Sequence, residues 1–269
     1  WLARSRVFLA LVGVTLLGVV GVLAREAYVS RHLPETAEVV EGWVEARNRW
    51  GRICSRFEIG AYLERPSITM AAMGTLRVVD VDGDEVNEIL LRSGREMDWM
   101  NRIALFDRKG KEIWSKVSDG SEGGAFGEED LLWRGFRVEE IPGRAEPVVF
   151  AVRSSRQGSL TVADVLDARS GKRLGSVRNR GHLEYAAVMD LGGNPRPEHL
   201  LGGVLNQEDA AVAVVLDLAA VARLGEASAR AWTTDPDLLG KGTLAVLRFP
   251  RDPFLRSLRP SVSDGDRRD

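Results

Sequence analysis

The chain has 269 residues, of which 44% are hydrophobic and 28% charged, enough to bury one large core or two small ones. Its 37 Lys and Arg side chains are balanced by 39 Asp and Glu, which excludes a nucleic-acid-binding protein that depends on a bulk basic excess. The single cysteine, Cys54, excludes an intramolecular disulfide framework and a multi-thiolate metal site.

The first predicted element is a membrane-spanning helix. Residues 7–24 contain no charged side chain, and Thr15 is the one polar residue among them. At ~1.5 Å per residue this run is about 27 Å long, close to the thickness of the hydrocarbon core. Arg4 and Arg6 precede it, which predicts a cytoplasmic N-terminal flank and an extracytoplasmic remainder. A signal peptide cleaved after Ala24 is the alternative, and it exports the same residues.

Composition divides the chain into four segments. We expect a cytoplasmic flank and transmembrane anchor at 1–24, a stalk at 25–66, a repeat region at 67–250 and a polar, disordered tail at 251–269. Within the stalk, apolar residues between Pro34 and Trp50 recur at spacings of three and four. This spacing predicts one short amphipathic helix.

The repeat region shows one pattern three times: a β-rich run, a turn opened by an acid, and a second β-rich run. A second hairpin follows each of these first hairpins, so each unit is predicted to hold four short strands. The acids that open the two turns of each unit are separated by 27, 28 and 27 residues: Asp80 and Asp107, Glu139 and Asp167, Asp190 and Asp217.

Four strands in about 50–60 residues, repeated in series, are typical of a propeller blade. The sequence therefore predicts an all-β fold, a β-propeller-like array of four-stranded repeats preceded by the transmembrane helix and the helical stalk. We expect Val212–Leu224 to form the second hairpin of the third unit, Leu244–Phe249 to begin a fourth unit, and strands within Arg52–Leu63 to complete it. A partial propeller or an open stack of sheets is the alternative.

The first acidic turn is the candidate metal site. It carries four carboxylates and a backbone carbonyl as possible ligands: Asp80, Asp82, Asp84, Glu88 and the carbonyl of Val86. Calcium takes roughly six to eight such hard oxygen ligands, and clustered like charges repel without a cation. We therefore expect a Ca²⁺ site at these five residues. A solvated Asp/Gly hairpin that holds no metal is the alternative.

This turn resembles the calcium loops of FG-GAP, or integrin-alpha-type, β-propeller repeats of exported bacterial proteins, which read D-x-D-G-D-G-x-x-[DE] between two strands. Asp80–Glu88 fits this pattern, and Ile89-Leu90 follows it, as in the family. The departure is Glu85 in place of glycine, at a position that often needs a positive φ. The resemblance extends over 67–249 and implies a membrane-anchored propeller in which calcium holds a turn. The other two first turns contain fewer acids.

The sequence contains no pattern typical of a hydrolase. His32, His182 and His199 are scattered, and neither H-E-x-x-H nor G-x-S-x-G occurs. We therefore expect a non-enzymatic binding or scaffold module, held by one membrane helix outside the cytoplasm, that presents its loops to a protein or glycan. Two alternatives stay open. One is a sensor domain whose cytoplasmic part lies upstream of Trp1. The other is a polysaccharide-active enzyme with acids or histidines clustered at one mouth of the ring.

Overall fold

The computed structural model describes eight stretches of the chain: residues 2–59, 75–93, 102–117, 131–155, 160–189, 198–205, 210–225 and 243–249. Helix α1 spans Leu2–His32, and a short helix α2 spans Leu218–Arg223. The predicted tail at 251–269 and the turn opened by Asp190 lie outside the described residues. All other described elements are β-strands, arranged in four antiparallel sheets.

In each sheet the strands lie side by side in chain order. The first sheet holds β1 (Thr36–Val40), β2 (Trp43–Arg47) and β3 (Ile53–Glu58). The second holds β4 (Leu76–Val79), β5 (Glu88–Ser93), β6 (Arg102–Phe106) and β7 (Glu112–Val117). The third holds β8 (Leu131–Glu139), β9 (Val148–Ser155), β10 (Thr161–Asp167) and β11 (Arg173–Asn179). The fourth holds β12 (Leu183–Met189), β13 (Glu198–Leu205), β14 (Ala210–Leu216) and β15 (Thr243–Phe249). A mostly β fold of antiparallel sheets, three of them four-stranded and one three-stranded, is thereby confirmed.

Neighbouring sheets pack face to face in chain order. On β9, Val148 and Phe150 contribute to the apolar cluster shared with the fourth sheet, whereas Val149 and Ala151 contribute to the cluster shared with the second. All four side chains are fully buried. In the second sheet, successive side chains likewise alternate between the apolar cluster shared with the third sheet and the apolar cluster shared with the first sheet. Because successive residues of a strand point to opposite faces, a strand buried on both sides reads as an unbroken apolar run.

The predicted helix between Pro34 and Trp50 is wrong. This stretch forms the β1–β2 hairpin, which closes through a two-residue turn. Both turn residues, Glu41 and Gly42, have positive φ values, of 51° and 86°. This geometry suits the right-handed twist of a two-residue hairpin. The side chains that this hairpin contributes to the apolar cluster, Ala37, Val39, Val44 and Ala46, follow the strand period of two instead of a helical spacing.

The fourth sheet is assembled differently from the prediction. The segment after β14 forms α2 rather than a strand, because Asp217 caps the helix by accepting a hydrogen bond from the Ala220 N–H at 3.1 Å. Strand β15 pairs with β14 and completes the fourth sheet, so Leu244–Phe249 does not begin a further unit. The predicted strand within Arg52–Leu63 exists as β3, but it pairs with β2 in the first sheet.

The third turn of the second sheet (β6–β7) and the third turn of the third sheet (β10–β11) each contact an aromatic ring from the preceding sheet. Gly110, with φ 81°, lies against the Phe57 ring, and Gly171, with φ 68°, lies against the Trp114 ring. A Cβ atom on Gly171 would come within 2.7 Å of Trp114 Cδ2, closer than side-chain atoms pack. Glycine is therefore needed at Gly171 both for its φ and for the close approach of the ring.

Helix α1 carries large apolar side chains that are exposed. Consecutive residues such as Leu16, Leu17, Val19 and Val20 are all more than half exposed, so the apolar surface extends around the helix. Among the residues that the structure describes, no helix combines the length and the apolar character that crossing a membrane requires.

Candidate functional site

The candidate site is the turn between β4 and β5, and its backbone is organised by one carboxylate. Val79 pairs with Glu88 at the last position of the ladder, so residues 80–87 form the turn. Asp80 Oδ1 accepts hydrogen bonds from the N–H groups of Gly83 at 2.7 Å and Asp82 at 3.3 Å, and Asp80 Oδ2 accepts one from Glu85 at 2.9 Å. Asp80 therefore wraps the chain around its own side chain.

Two residues of the turn adopt left-handed backbone conformations. Gly83 has φ 77° and Glu85 has φ 68°. The positive φ at Glu85 is the one expected at this position of the loop pattern, and it costs a non-glycine residue on the order of 1 kcal/mol. The Glu85 side chain forms an ion pair with Arg25 of α1.

The turn brings together three of the four predicted carboxylates. One oxygen atom from each of Asp80, Asp82 and Glu88 lies within 4.8 Å of the other two. Asp84 is not part of this group, and its Oδ1 accepts a hydrogen bond from the Val86 N–H at 2.7 Å. The Val86 carbonyl stays a predicted ligand. Three converging carboxylates suit a hard divalent cation that completes its coordination with further oxygens.

Glu88 is the buried member of the group. Burial is the main cause that raises the pKa of its carboxyl, the hydrogen bond from the Val81 N–H at 3.1 Å lowers it, and the charges of Asp82, Asp84 and Asp80 raise it, so that the pKa lies at about 7. Since the folded pKa is above the ordinary value, the protonated form favours folding at low pH, and this stability is lost as the pH rises from about 4.5 to 7. A bound cation would restore it by replacing the proton.

The acidic turn also contacts the chain that follows α1. Asn87 Nδ2 donates a hydrogen bond to the Pro34 carbonyl oxygen at 2.7 Å. Together with the Arg25–Glu85 ion pair, this bond joins the second sheet to both ends of the segment 25–34. The turn is thus a contact point between helix and sheets as well as a cluster of acids.

A cleft of about 850 Å³ opens beside this turn, between the second and third sheets. Arg77, Val79 and Asp80 line one side, and the end of β8 with the β8–β9 turn, residues 137–147, lines the other. Val79 and Val138 belong to the apolar cluster between the two sheets, so the cleft has an apolar floor and a charged rim. No aromatic residue lines it among the residues described.

The other turn-opening acids that the structure describes hold local structure, and of these Glu139 also lines the cleft. Glu139 accepts a hydrogen bond from Arg137 Nε at 2.6 Å. Asp107 Oδ1 accepts hydrogen bonds from the Lys109 and Lys111 N–H groups, at 2.8 and 2.9 Å. Asp167 pairs with Arg144 at 2.9 Å and, like Asp217, caps the segment that follows it. Asp107, Asp167 and Asp217 therefore share a role in shaping the segment that follows each of them.

Two buried polar groups have no signal in the sequence. Asp164 is fully buried in the third sheet and forms ion pairs with Arg153 at 2.7 Å and Arg173 at 3.1 Å. His199 is 1% exposed, its ring centroid lies 5.0 Å from that of Phe150, and burial together with Arg137 lowers its pKa to about 4. The burial of Asp164 and His199 depends on which sheets pack against each other, and no local sequence motif indicates this.

Scans of this chain against protein-family models, curated proteins and solved structures find no match. The resemblance to FG-GAP repeats therefore rests on the acidic turn and on the spacing of the turn-opening acids.

Proposed function

We propose that the chain is a membrane-attached, extracytoplasmic β-propeller-type binding module of the FG-GAP kind. Attachment is supported by the uncharged run at 7–24 and by the exposed apolar side chains of the described part of α1. Contact of such an apolar surface with water is unfavourable, whereas contact with lipid acyl chains is not.

The propeller architecture is supported by the way the sheets follow one another. Each described sheet is an antiparallel meander, and each packs face to face with the next sheet along the chain. Radial stacking of such meanders is the propeller arrangement, and it brings the first and third turns of each sheet to one rim.

The cleft of about 850 Å³ at this rim is the single observation that supports a binding function most directly. Its volume falls within the range of ligand sites, and it combines an apolar floor with charges of both signs. The absence of aromatic rings in its described lining favours a protein segment over a glycan, since sugars stack on aromatic faces. The module binds rather than catalyses in this proposal.

The binding role is tested by capture from the cell envelope. The full chain is used as bait, in its parent form and with the exposed rim charges reversed by Arg77→Glu together with Glu140→Lys. Glu58→Lys, exposed on the first sheet, is the matched control. A partner retained by the parent chain and the control but lost with the cleft variant supports the proposal. Equal retention by all three baits contradicts it.

Calcium would hold the acidic turn rather than take part in chemistry. Asp80, Asp82 and Glu88 would supply its carboxylate ligands, and the ion would offset the burial and the carboxylate repulsion that raise the Glu88 pKa. We expect millimolar Ca²⁺ to raise the melting temperature of the full chain, more at pH 8 than at pH 6 because Glu88 must lose its proton. Asp82→Ala abolishes the rise, whereas Asp107→Ala, outside this turn, retains it. A parent chain that shows no shift at either pH removes the calcium proposal.

A further inference from the structure

The turn between β2 and β3 presents a tryptophan on a rigid support. Asn48 Oδ1 accepts hydrogen bonds from the N–H groups of Trp50 and Arg52, both at 3.1 Å, and the Gly51 N–H donates to the Asn48 carbonyl oxygen at 2.8 Å. Gly51 has φ 72°, which closes the turn. The Trp50 side chain is nevertheless 52% exposed. Packing inside the protein therefore does not explain why this ordered turn carries a large aromatic side chain.

This turn is joined directly to the end of α1. Asn48 Nδ2 donates a hydrogen bond to the Arg31 carbonyl oxygen at 3.0 Å. Asn48 itself is buried, so one side chain both shapes the turn and fixes it against the helix. Trp50 therefore projects from the sheets beside the point where α1 meets them.

The position along α1 corresponds to the depth of lipid headgroups. If Ala24 marks the edge of the hydrocarbon core, Tyr28 lies ~6 Å beyond it and Arg31 ~10 Å, at ~1.5 Å per helical residue. Each headgroup layer is roughly 5–7 Å thick. Tyr28 is 55% exposed, so an exposed tyrosine lies within this layer, and the Trp50 turn lies ~3–5 Å beyond it on the aqueous side. Tyrosine and tryptophan are the residues enriched at membrane–water interfaces.

The charge around Trp50 complements an anionic lipid surface. Residues 48–53 contain two arginines and no acid, and all from Arg49 to Ile53 are exposed. The Arg49 guanidinium lies 5.8 Å from the Trp50 ring centroid, and Arg31 is exposed next to the turn. Guanidinium groups bind phosphate, and basic residues close to a membrane are attracted to anionic lipids.

We propose that the β2–β3 turn, through Trp50, Arg49 and Arg52, docks on the anionic headgroups of the bilayer that holds α1. This inference rests on the proposed membrane attachment. It adds a second contact that fixes the tilt of the sheets against the membrane.

The test places an environment-sensitive fluorophore on the turn. Trp50→Cys is made in a Cys54→Ser background and labelled with nitrobenzoxadiazole. Leu247→Cys, 51% exposed on the fourth sheet, is the matched control in the same background. The full chains are reconstituted into phosphatidylcholine vesicles with and without phosphatidylglycerol, and flotation establishes that they are bound. Quenching by lipids with a headgroup-level nitroxide is then measured.

We expect several-fold stronger quenching at position 50 than at position 247, with an additional increase in the vesicles that contain phosphatidylglycerol. Arg49→Gln with Arg52→Gln removes most of that additional increase. Chains that float with the vesicles but show equal quenching at the two positions overturn this inference and leave membrane attachment intact. Chains that do not float overturn both. Quenching at position 50 that is indifferent to lipid charge and to the arginine variants overturns the headgroup contact.

Discussion

The two faces of the third sheet are packed by different interactions. Its contact with the second sheet contains a buried ion network and cross-sheet hydrogen bonds: Trp114 Nε1 donates to the Ala168 carbonyl at 2.9 Å, and Trp133 Nε1 donates to the Lys116 carbonyl at 3.1 Å. Its contact with the fourth sheet is mainly an apolar cluster that includes α2, with the His199 ring against Phe150 and one buried hydrogen bond from the Leu183 N–H to Thr161 Oγ1 at 2.9 Å. The same strands thus form an interface with several side-chain hydrogen bonds on one side and a predominantly hydrophobic interface on the other.

This difference explains why the fourth sheet can depart from the shared pattern. Hydrophobic contacts are not directional, so α2 can replace a strand after β14 as long as it buries its apolar side chains, which it does with Leu218 and Val221. The contact between the second and third sheets depends on individual donors, acceptors and glycines. Each of the following predictions changes one interface and leaves the other untouched.

The largest effect is expected from breaking the ion network with Asp164→Val. Asp164 lies three residues before the turn-opening Asp167. The corresponding residues of the second and fourth sheets are Ala104 and Val214, so Asp164→Val introduces the kind of side chain that those sheets have at this position. In the third sheet it leaves Arg153, 3% exposed, buried without its carboxylate. We expect the free energy of unfolding to fall by about 3–5 kcal/mol in denaturant titrations followed by tryptophan fluorescence.

Two variants control this experiment. Adding Arg153→Leu should recover much of the loss, because an ion pair replaced as a whole by apolar groups costs little. Glu38→Ala breaks the exposed pair with Arg47 and should cost less than about 1 kcal/mol. A loss with Asp164→Val as small as that of Glu38→Ala would mean that the network does not hold this interface.

The interface with the fourth sheet should be sensitive to acid through His199. Its folded pKa of about 4 lies below the ordinary 6.5, so the unfolded chain takes up the proton first. The contribution is intact above about pH 6.5 and is lost progressively towards pH 4, by up to ~3 kcal/mol. Among the described residues, the charged groups at this end of the interface are Arg137 and Glu139 of β8, Glu140 after it and Asp217 before α2.

His199→Phe should remove this dependence while keeping a ring against Phe150. The comparison must be a difference between parent and variant, because Glu88 changes the stability in the opposite direction over an overlapping pH range. His32→Gln, exposed on α1, should leave the pH profile unchanged. Parallel profiles of the parent chain and His199→Phe between pH 4 and pH 7 would contradict the assignment.

The parts of the fold that sequence patterns predicted are those determined by local chemistry. The hairpins at Asp80 and Asp167 were predictable because Asp and Gly favour turns and the β-branched residues on both sides favour strands. The positive φ of Glu85 followed from its place in the loop. The convergence of Asp80, Asp82 and Glu88 follows from the same local wrapping of the chain.

The errors concern segments whose structure depends on distant partners. The β1–β2 hairpin was interpreted as a helix because Glu41-Gly42 is a weak turn signal and the strands are only five residues long. β15 was assigned to a new unit because its partner, β14, lies more than twenty-five residues earlier in the chain. The burial of Asp164 and His199 depends on sheet packing, which no spacing of residues records.

The last comparison separates backbone strain from close packing at the contact between the second and third sheets. Gly171 and Gly143 both have positive φ, 68° and 87°, but a Cβ atom on Gly143 would meet no atom within 4 Å. Gly143→Ala should therefore cost about 1 kcal/mol from strain alone. Gly171→Ala should cost ~1–3 kcal/mol more, because Trp114 must move and its bond to Ala168 is disturbed. Equal losses in melting temperature for the two variants would mean that the ring yields freely. In that case the contact between the second and third sheets would tolerate an added side-chain atom as well as the hydrophobic contact that includes α2.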